Sequence, residues 1–484
     1  MNKLKKAISI FSFFFMTILI VNLTFFFLEQ SIITKVTPGY YFGPISLPNQ
    51  TIIATMIVTL ISSFSIYFVR RIRLSVNGVI IITILIVFFI VMTINILTIP
   101  EIRTLPVKFF DGTINDVILT LAPGKRITAI LTLAVNIAFF YFIVIALPNH
   151  KHFLSITKFF IAVIVLVSIG AIVYSFITEW DVIVDLVSGG YASFTDVPTS
   201  FFNNRNPYAS FLLSSQVMAV FLYYLTIKNK RRIIYFLLQI PLMFGIFLTF
   251  SKTNIALSLL LFIFVFYRNL WSMAKKKQYK RLTILTVLSS SFIVTIIFFR
   301  VIPTLQETLF GDFLKKAITT QVLEEAGKTF ASRVGLWTYA FSLIVASPVT
   351  FLIGDGPHIS RYFYQMRIDQ ELGRPNSMGL GDYHNGFVEV FHTFGLLGFI
   401  AYVSMFFVIL FILIRRRKAN KALAFFTFVS LLIFLVRSQF ESLSLLLFKS
   451  EGIMASFTVI LPFLYLNKLA HKRGHGKEII KNAD

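Results

Sequence analysis

The sequence predicts an all-α integral membrane protein of about twelve transmembrane helices, a single polytopic domain over residues 1–484 with one large extracytoplasmic loop at about 303–385. Three observations carry that expectation. The 484 residues are 57% hydrophobic and only 14% charged, with a mean hydropathy of +0.81. Apolar runs of about 20 residues recur along the chain, the length that crosses roughly 30 Å of hydrocarbon. Basic residues gather on one side of those runs. A soluble core of ordinary proportions cannot enclose so much apolar surface, so the solvent is lipid.

The first run, 7–28, follows Lys3, Lys5 and Lys6 as a signal peptide would. Its apolar stretch is too long and no small-x-small cleavage pattern follows, so a retained helix is expected. Further spans are expected near 51–69, 78–99, 127–147, 159–177, 207–227, 233–250, 255–267, 282–302, 386–414, 422–436 and 443–466, with the seventh and eighth forming a tight hairpin. Most of the 45 basic residues fall in the N-terminal tail, Arg70–Arg73, Lys151 and Lys158, Lys228–Arg232, Arg268–Arg281, Arg415–Lys421 and the C-terminal tail. Of the 21 acidic residues only Glu478 and Asp484 join them. The positive-inside rule therefore makes that face, with both termini, cytoplasmic. The net charge of +24 then orients the chain and favours anionic lipid head groups, and no nucleic-acid partner is expected.

Residues 334–353 are apolar and long enough to cross, but a crossing there would put Arg415, Arg416, Arg417 and Lys418 outside. The segment is expected instead to lie along, or dip into, the outer face as a non-spanning helix within the 303–385 loop. A second outer loop, 178–206, is acidic, with Glu179, Asp181, Asp185 and Asp196. Cysteine is absent, which excludes disulfides and thiolate metal sites.

Polar residues collect at three helix starts on the outer side. They are Asn203-Asn204-Arg205-Asn206-Pro207, where Asn206 is expected to cap and Pro207 to sit in the first turn; Phe250-Ser251-Lys252-Thr253-Asn254; and Asp382-Tyr383-His384-Asn385-Gly386. A helix start offers free N–H groups and a positive dipole end, so each suits an anion. With Ser332-Arg333-Val334-Gly335-Leu336-Trp337 in the large loop, the pattern points to an outer-leaflet site for a phosphate-bearing substrate. The plainer readings stand beside it. His384 as an interfacial histidine, Arg333 and Lys252 as head-group anchors, Arg205 paired with the acidic loop, and Trp337 with Tyr362, Phe363 and Tyr364 as interfacial aromatics all need no chemistry. The Gly354-Asp355-Gly356-Pro357 turn is structural by default and, lacking a following Lys-Ser/Thr, is no phosphate loop.

In order, Asn204-x-Asn206, Ser251-Lys252, Ser332-Arg333-x3-Trp337, Pro348-x5-Gly354-x-Gly356 and His384-Asn385-x3-Glu389-x5-Gly395-Leu396-Leu397-Gly398 resemble the O-antigen ligase and polymerase superfamily of bacterial membrane glycosyltransferases, over roughly residues 200–440. The resemblance implies a catalytic outer loop, a glycan donor linked through pyrophosphate to undecaprenol, and transfer with neither metal nor cofactor nor nucleotide sugar. It implies His384 as general base and Arg333 as the second catalytic residue. Arg205, Lys252, Asn204, Asn385, Arg437 and Glu441 are then expected to hold the pyrophosphate or glycan. Lys252 stands where many ligases carry Arg in a Ser-Arg-Gly stretch, which favours a polymerase of capsular, O-antigen or teichuronic-acid type over a ligase. A flippase and a chain-length regulator of the same pathway are the implied partners. A lipid-linked oligosaccharide flippase is the rival class; it would carry charges within its spans, whereas this chain keeps them at helix ends.

Overall fold

The computed structural model describes chiefly residues 151–188, 197–200, 205–225, 229–275, 333–355, 383–441 and 455–466, with strand backbone at 102–108 and 114–120 and helical backbone in parts of 83–98. The expected first, second, fourth and ninth spans and most of the 303–385 loop lie outside these residues. Among the described residues, five helices are long and apolar enough to cross a membrane: Ile161–Thr178, Arg205–Leu225, Lys252–Trp271, Gly386–Arg416 and Lys421–Phe440. They correspond to the expected fifth, sixth, eighth, tenth and eleventh spans. The protein is a helical membrane protein.

One element departs from the all-α expectation. Strand β1 (Ile102–Lys108) pairs antiparallel with β2 (Ile114–Thr120), in register from Ile102 opposite Thr120 to Lys108 opposite Ile114. Pro106, opposite Asp116, lacks an N–H, which a two-stranded ribbon tolerates because each strand has an open edge. The hairpin falls between the expected third and fourth spans.

The chain forms two compact units, one of residues 30–38 and 161–332, the other of 1–29, 39–160 and 333–484. In the first, α1 (Lys151–Thr178), which enters the unit at residue 161, is followed by the short α2 (Trp180–Ser188), then α3 (Arg205–Leu225), α4 (Asn229–Leu237), α5 (Gln239–Leu248) and α6 (Lys252–Lys275). Helix α3 is enclosed, every residue from Tyr208 to Tyr223 being buried. Enclosure by protein lets it carry polar side chains that join helices. Ser215 Oγ meets Ser168 Oγ of α1 at 2.6 Å, and Gln216 Nε2 donates to the Ser258 carbonyl of α6. The expected seventh span is interrupted at Leu238, and Pro241 supplies the cause: it has no N–H for the Leu237 carbonyl and its ring crowds that turn. At Gly245 helix α5 comes so close to α1 and α3 that a Cβ would lie 2.7 Å from Ile172 and 3.0 Å from Leu212.

In the second unit, α7 (Arg333–Val345) and α8 (Pro348–Ile353) replace the single non-spanning helix expected at 334–353. Ser347 caps α8 by accepting the Thr350 N–H, with Pro348 in the first turn. Next come α9 (Gly386–Arg416), α10 (Lys421–Phe440) and α11 (Ala455–Leu466). The expected uninterrupted tenth span is in fact broken at Gly395, whose φ of 62° and ψ of −169° are not helical. Residues 396–416 alone rise about 30 Å, enough to cross, so the turns from Gly386 to Phe394 are spare for other work. Leu397, Ile400, Phe407, Phe411 and Ile414 form an exposed apolar stripe on α9 and fit a lipid-facing surface. Arg415 and Arg416 in its last turn suit the negative end of its dipole.

Candidate active site

The site residues of the second unit gather where α7 and α9 begin and α10 ends. Asn385 caps α9: its Oδ1 accepts from Phe387 N at 2.9 Å and Val388 N at 3.2 Å, and its Nδ2 donates to Gln439 Oε1 at 3.3 Å. The start of α9 is thereby tied to the end of α10. Arg333, the first residue of α7, places its guanidinium 5.9 Å from the centre of the Phe440 ring. Arg437, in the last turn of α10, is 2% exposed, with Glu441 Oε2 3.5 Å from its Nη2. A permanent cation is thus held in a low-dielectric position with a carboxylate 3.5 Å away.

Asn385 is the cap of α9. His384 sits one residue earlier, half-buried, in the left-handed region with φ of 48°. A non-glycine residue rarely adopts that conformation unless its neighbours enforce it. On its N-terminal side Tyr383 is fully buried against Ala340, Val388 and Trp337, and the Trp337 indole N–H donates to the Tyr383 carbonyl at 2.9 Å. Trp337, weighed as an interfacial anchor, instead fastens α7 to the residue before His384.

Beneath this lies a buried chain of polar groups that the motif reading missed. The Tyr383 hydroxyl is 2.7 Å from His392 Nδ1, and His392 Nε2 is 2.7 Å from Asp355 Oδ2. Asp355 Oδ1 accepts from the Thr350 hydroxyl, and its backbone N–H donates to the His392 carbonyl. His392 is 0% and Asp355 3% exposed. The available signal was the ionisable His392 within an apolar run. The Gly354-Asp355 turn, structural by default, thus contributes a buried carboxylate to the same chain.

In the first unit the structure joins two of the three polar helix starts. Phe250 turns with φ of 51°, Lys252 opens α6, and Ser251 Oγ donates to Asn206 Oδ1 at 3.2 Å while accepting from Asn254 Nδ2 at 2.9 Å. Arg205 opens α3, so Asn206 lies inside the first turn and is not the cap that was expected. Two helix starts bearing Arg205 and Lys252 therefore lie side by side. Asn204 lies outside the described residues. Of the acidic loop, Glu179 is bound to the Ser200 N–H and to the Thr199 N–H and hydroxyl.

Residues 234–403 match the O-antigen ligase family. The match supports the O-antigen ligase and polymerase superfamily. The matched segment runs from α4 into α9 and holds Lys252, Arg333, His384 and Asn385 together with Asp355 and His392; Asn204, Arg205, Arg437 and Glu441 fall outside it. No curated protein matches the chain. The match implies a glycosyltransferase-like enzyme.

Proposed function

We propose that the protein polymerises a cell-surface polysaccharide at the outer face of a bacterial cytoplasmic membrane, moving a glycan from undecaprenyl pyrophosphate to the hydroxyl of an acceptor sugar. One observation carries the reading. Within the family-matched segment, a histidine in a strained backbone conformation stands at the head of α9, and an arginine opens α7, the helix that Trp337 ties to the residue before that histidine. In the reaction the acceptor oxygen bonds to the anomeric carbon as the bond from that carbon to the phosphate oxygen breaks. The acceptor proton passes to the His384 imidazole, and the lipid pyrophosphate leaves with its negative charge. Arg333 stabilises that charge, and Asn385, Arg437 and Glu441 of the same unit bind the glycan; in the other unit, the adjoining helix starts that bear Arg205 and Lys252 offer an anion site for pyrophosphate. Lys252 keeps the charge of an arginine without its two-pronged phosphate geometry, which favours a polymerase over a ligase.

The test is incubation of the purified protein with undecaprenyl-pyrophosphate-linked repeat units, without added metal or nucleotide sugar. A ladder of longer glycans is expected. Unchanged donor would exclude a polymerase and leave a ligase lacking its acceptor, or a flippase. Orientation has its own check in this cysteine-free chain. Ser360→Cys is expected to react with a membrane-impermeant thiol reagent on intact cells, and reaction only after permeabilisation would overturn the outer placement of 303–385.

A further inference from the structure

The proposed transfer uses His384 but not the buried groups behind it. Asp355, His392 and Tyr383 form a continuous hydrogen-bonded chain from the end of α8, through the second turn of α9, to the residue next to His384. A Tyr383 hydroxyl that donates to Nδ1 leaves Nε2–H to donate to Asp355, so a neutral His392 satisfies both neighbours. Tyr383 is thereby fixed at its hydroxyl by His392, at its carbonyl by Trp337 and along its ring by Ala340 and Val388. On the other side of His384, Asn385 is fixed by its two cap bonds and by Gln439. His384 is strung between two immobilised residues, which is what a φ of 48° in a non-glycine residue requires.

Apolar side chains would fill this space without any need for matched partners, since a buried ionisable pair is seldom the most stable filling. What the polar chain supplies that apolar packing does not is direction, because hydrogen bonds fix the angle of Tyr383 as well as its depth. We propose that Asp355, His392 and Tyr383 are positioning residues that hold the His384 imidazole in the orientation needed to accept the proton of the acceptor hydroxyl. The proposal rests on the reading of His384 as general base, and its test is arranged so that the two fail separately.

The first arm does not depend on turnover. In the purified full-length protein, His384→Cys introduces a single thiol, and its rate of reaction with a small maleimide reports how residue 384 is presented. Adding Tyr383→Phe or Asp355→Asn is expected to change that rate by at least about fivefold. Adding Thr427→Val, which removes a different buried hydroxyl bonded to the Leu423 carbonyl, is expected to leave it unchanged. Equal rates in all backgrounds overturn the proposal. The second arm keeps His384. Tyr383→Phe and Asp355→Asn are expected to lower kcat about tenfold or more with KM for the lipid-linked donor and the thermal midpoint little changed. A fall in kcat that only follows a fall in thermal midpoint would mark the chain as structural and overturn it. Full activity of His384→Ala would sink the base assignment, while the labelling arm would still decide whether the buried chain sets the geometry of residue 384.

Discussion

Gly395→Ala is expected to cost at least about 3 kcal/mol of stability, enough to remove most of the folded protein from the membrane. Gly395 has φ of 62° with ψ of −169°, and Gly354, which faces it, has φ of 79° with ψ of 179°. Both conformations belong to a region that only glycine occupies without strain. The space is as restrictive as the torsions. A Cβ on Gly395 would lie 2.4 Å from Ile353 N and 2.5 Å from Gly354 N, and one on Gly354 would lie 2.4 Å from the Thr393 carbonyl oxygen. These are backbone atoms, so no side chain can swing aside. The two glycines let the end of α8 meet the break in α9 backbone to backbone, and that contact delivers Asp355 to His392. The thermal midpoint of purified protein measures the effect, with Gly170→Ala, where a Cβ meets nothing within 4 Å, as the neutral comparison. A Gly395→Ala protein as stable as the parent would show that the break in α9 is not imposed by this contact.

The parts of the fold legible in the sequence were those fixed by local chemistry. Apolar length alone located α1, α3, α6, α9 and α10, because a span must bury about 20 residues in lipid whatever its neighbours are. The tight turn between α5 and α6 followed from the polar residues Ser251 to Asn254 between two apolar runs. The break near Leu238 is encoded locally by Pro241. So is the β-hairpin: Asp111-Gly112 stands between two runs rich in β-branched residues, a turn signal obscured by the expectation of an all-helical chain. The break at Gly395 was not readable. A glycine inside an apolar run is tolerated in many spans, and what forces this one out of helical geometry is the approach of α8, which lies outside the helix altogether. The same holds for the candidate site. Arg333 and His384 were marked by residue type and position, and Asn385 by its place just before a helix. The Asp355–His392 pair joins residues 37 apart, a closure that no periodicity encodes.

His384→Ala and Arg333→Ala are each expected to lower glycan transfer by a factor of roughly 10² to 10⁴, the range spanned by loss of a general base or of a principal charge stabiliser. Membrane insertion and protein level should be unchanged, because neither side chain is part of the buried core of its unit. His384→Gly separates the two consequences of this position. Its activity should be as low as that of the alanine variant, since both lack the imidazole. Its stability should be higher than that of either, by about 1 kcal/mol, since a φ of 48° costs a side-chain-bearing residue energy that glycine does not pay. A higher thermal midpoint with no transfer is the signature of a residue kept in strain for its chemistry. Wild-type transfer by His384→Ala would assign the strained position to the fold alone, and the base would then have to be sought elsewhere in the matched segment. For Arg333, the lysine variant sharpens the argument. A guanidinium that binds pyrophosphate through two parallel N–H groups is expected to be replaced poorly by an ammonium, whereas a residue that serves only as a positive charge at the interface would tolerate Arg333→Lys with activity close to that of the parent.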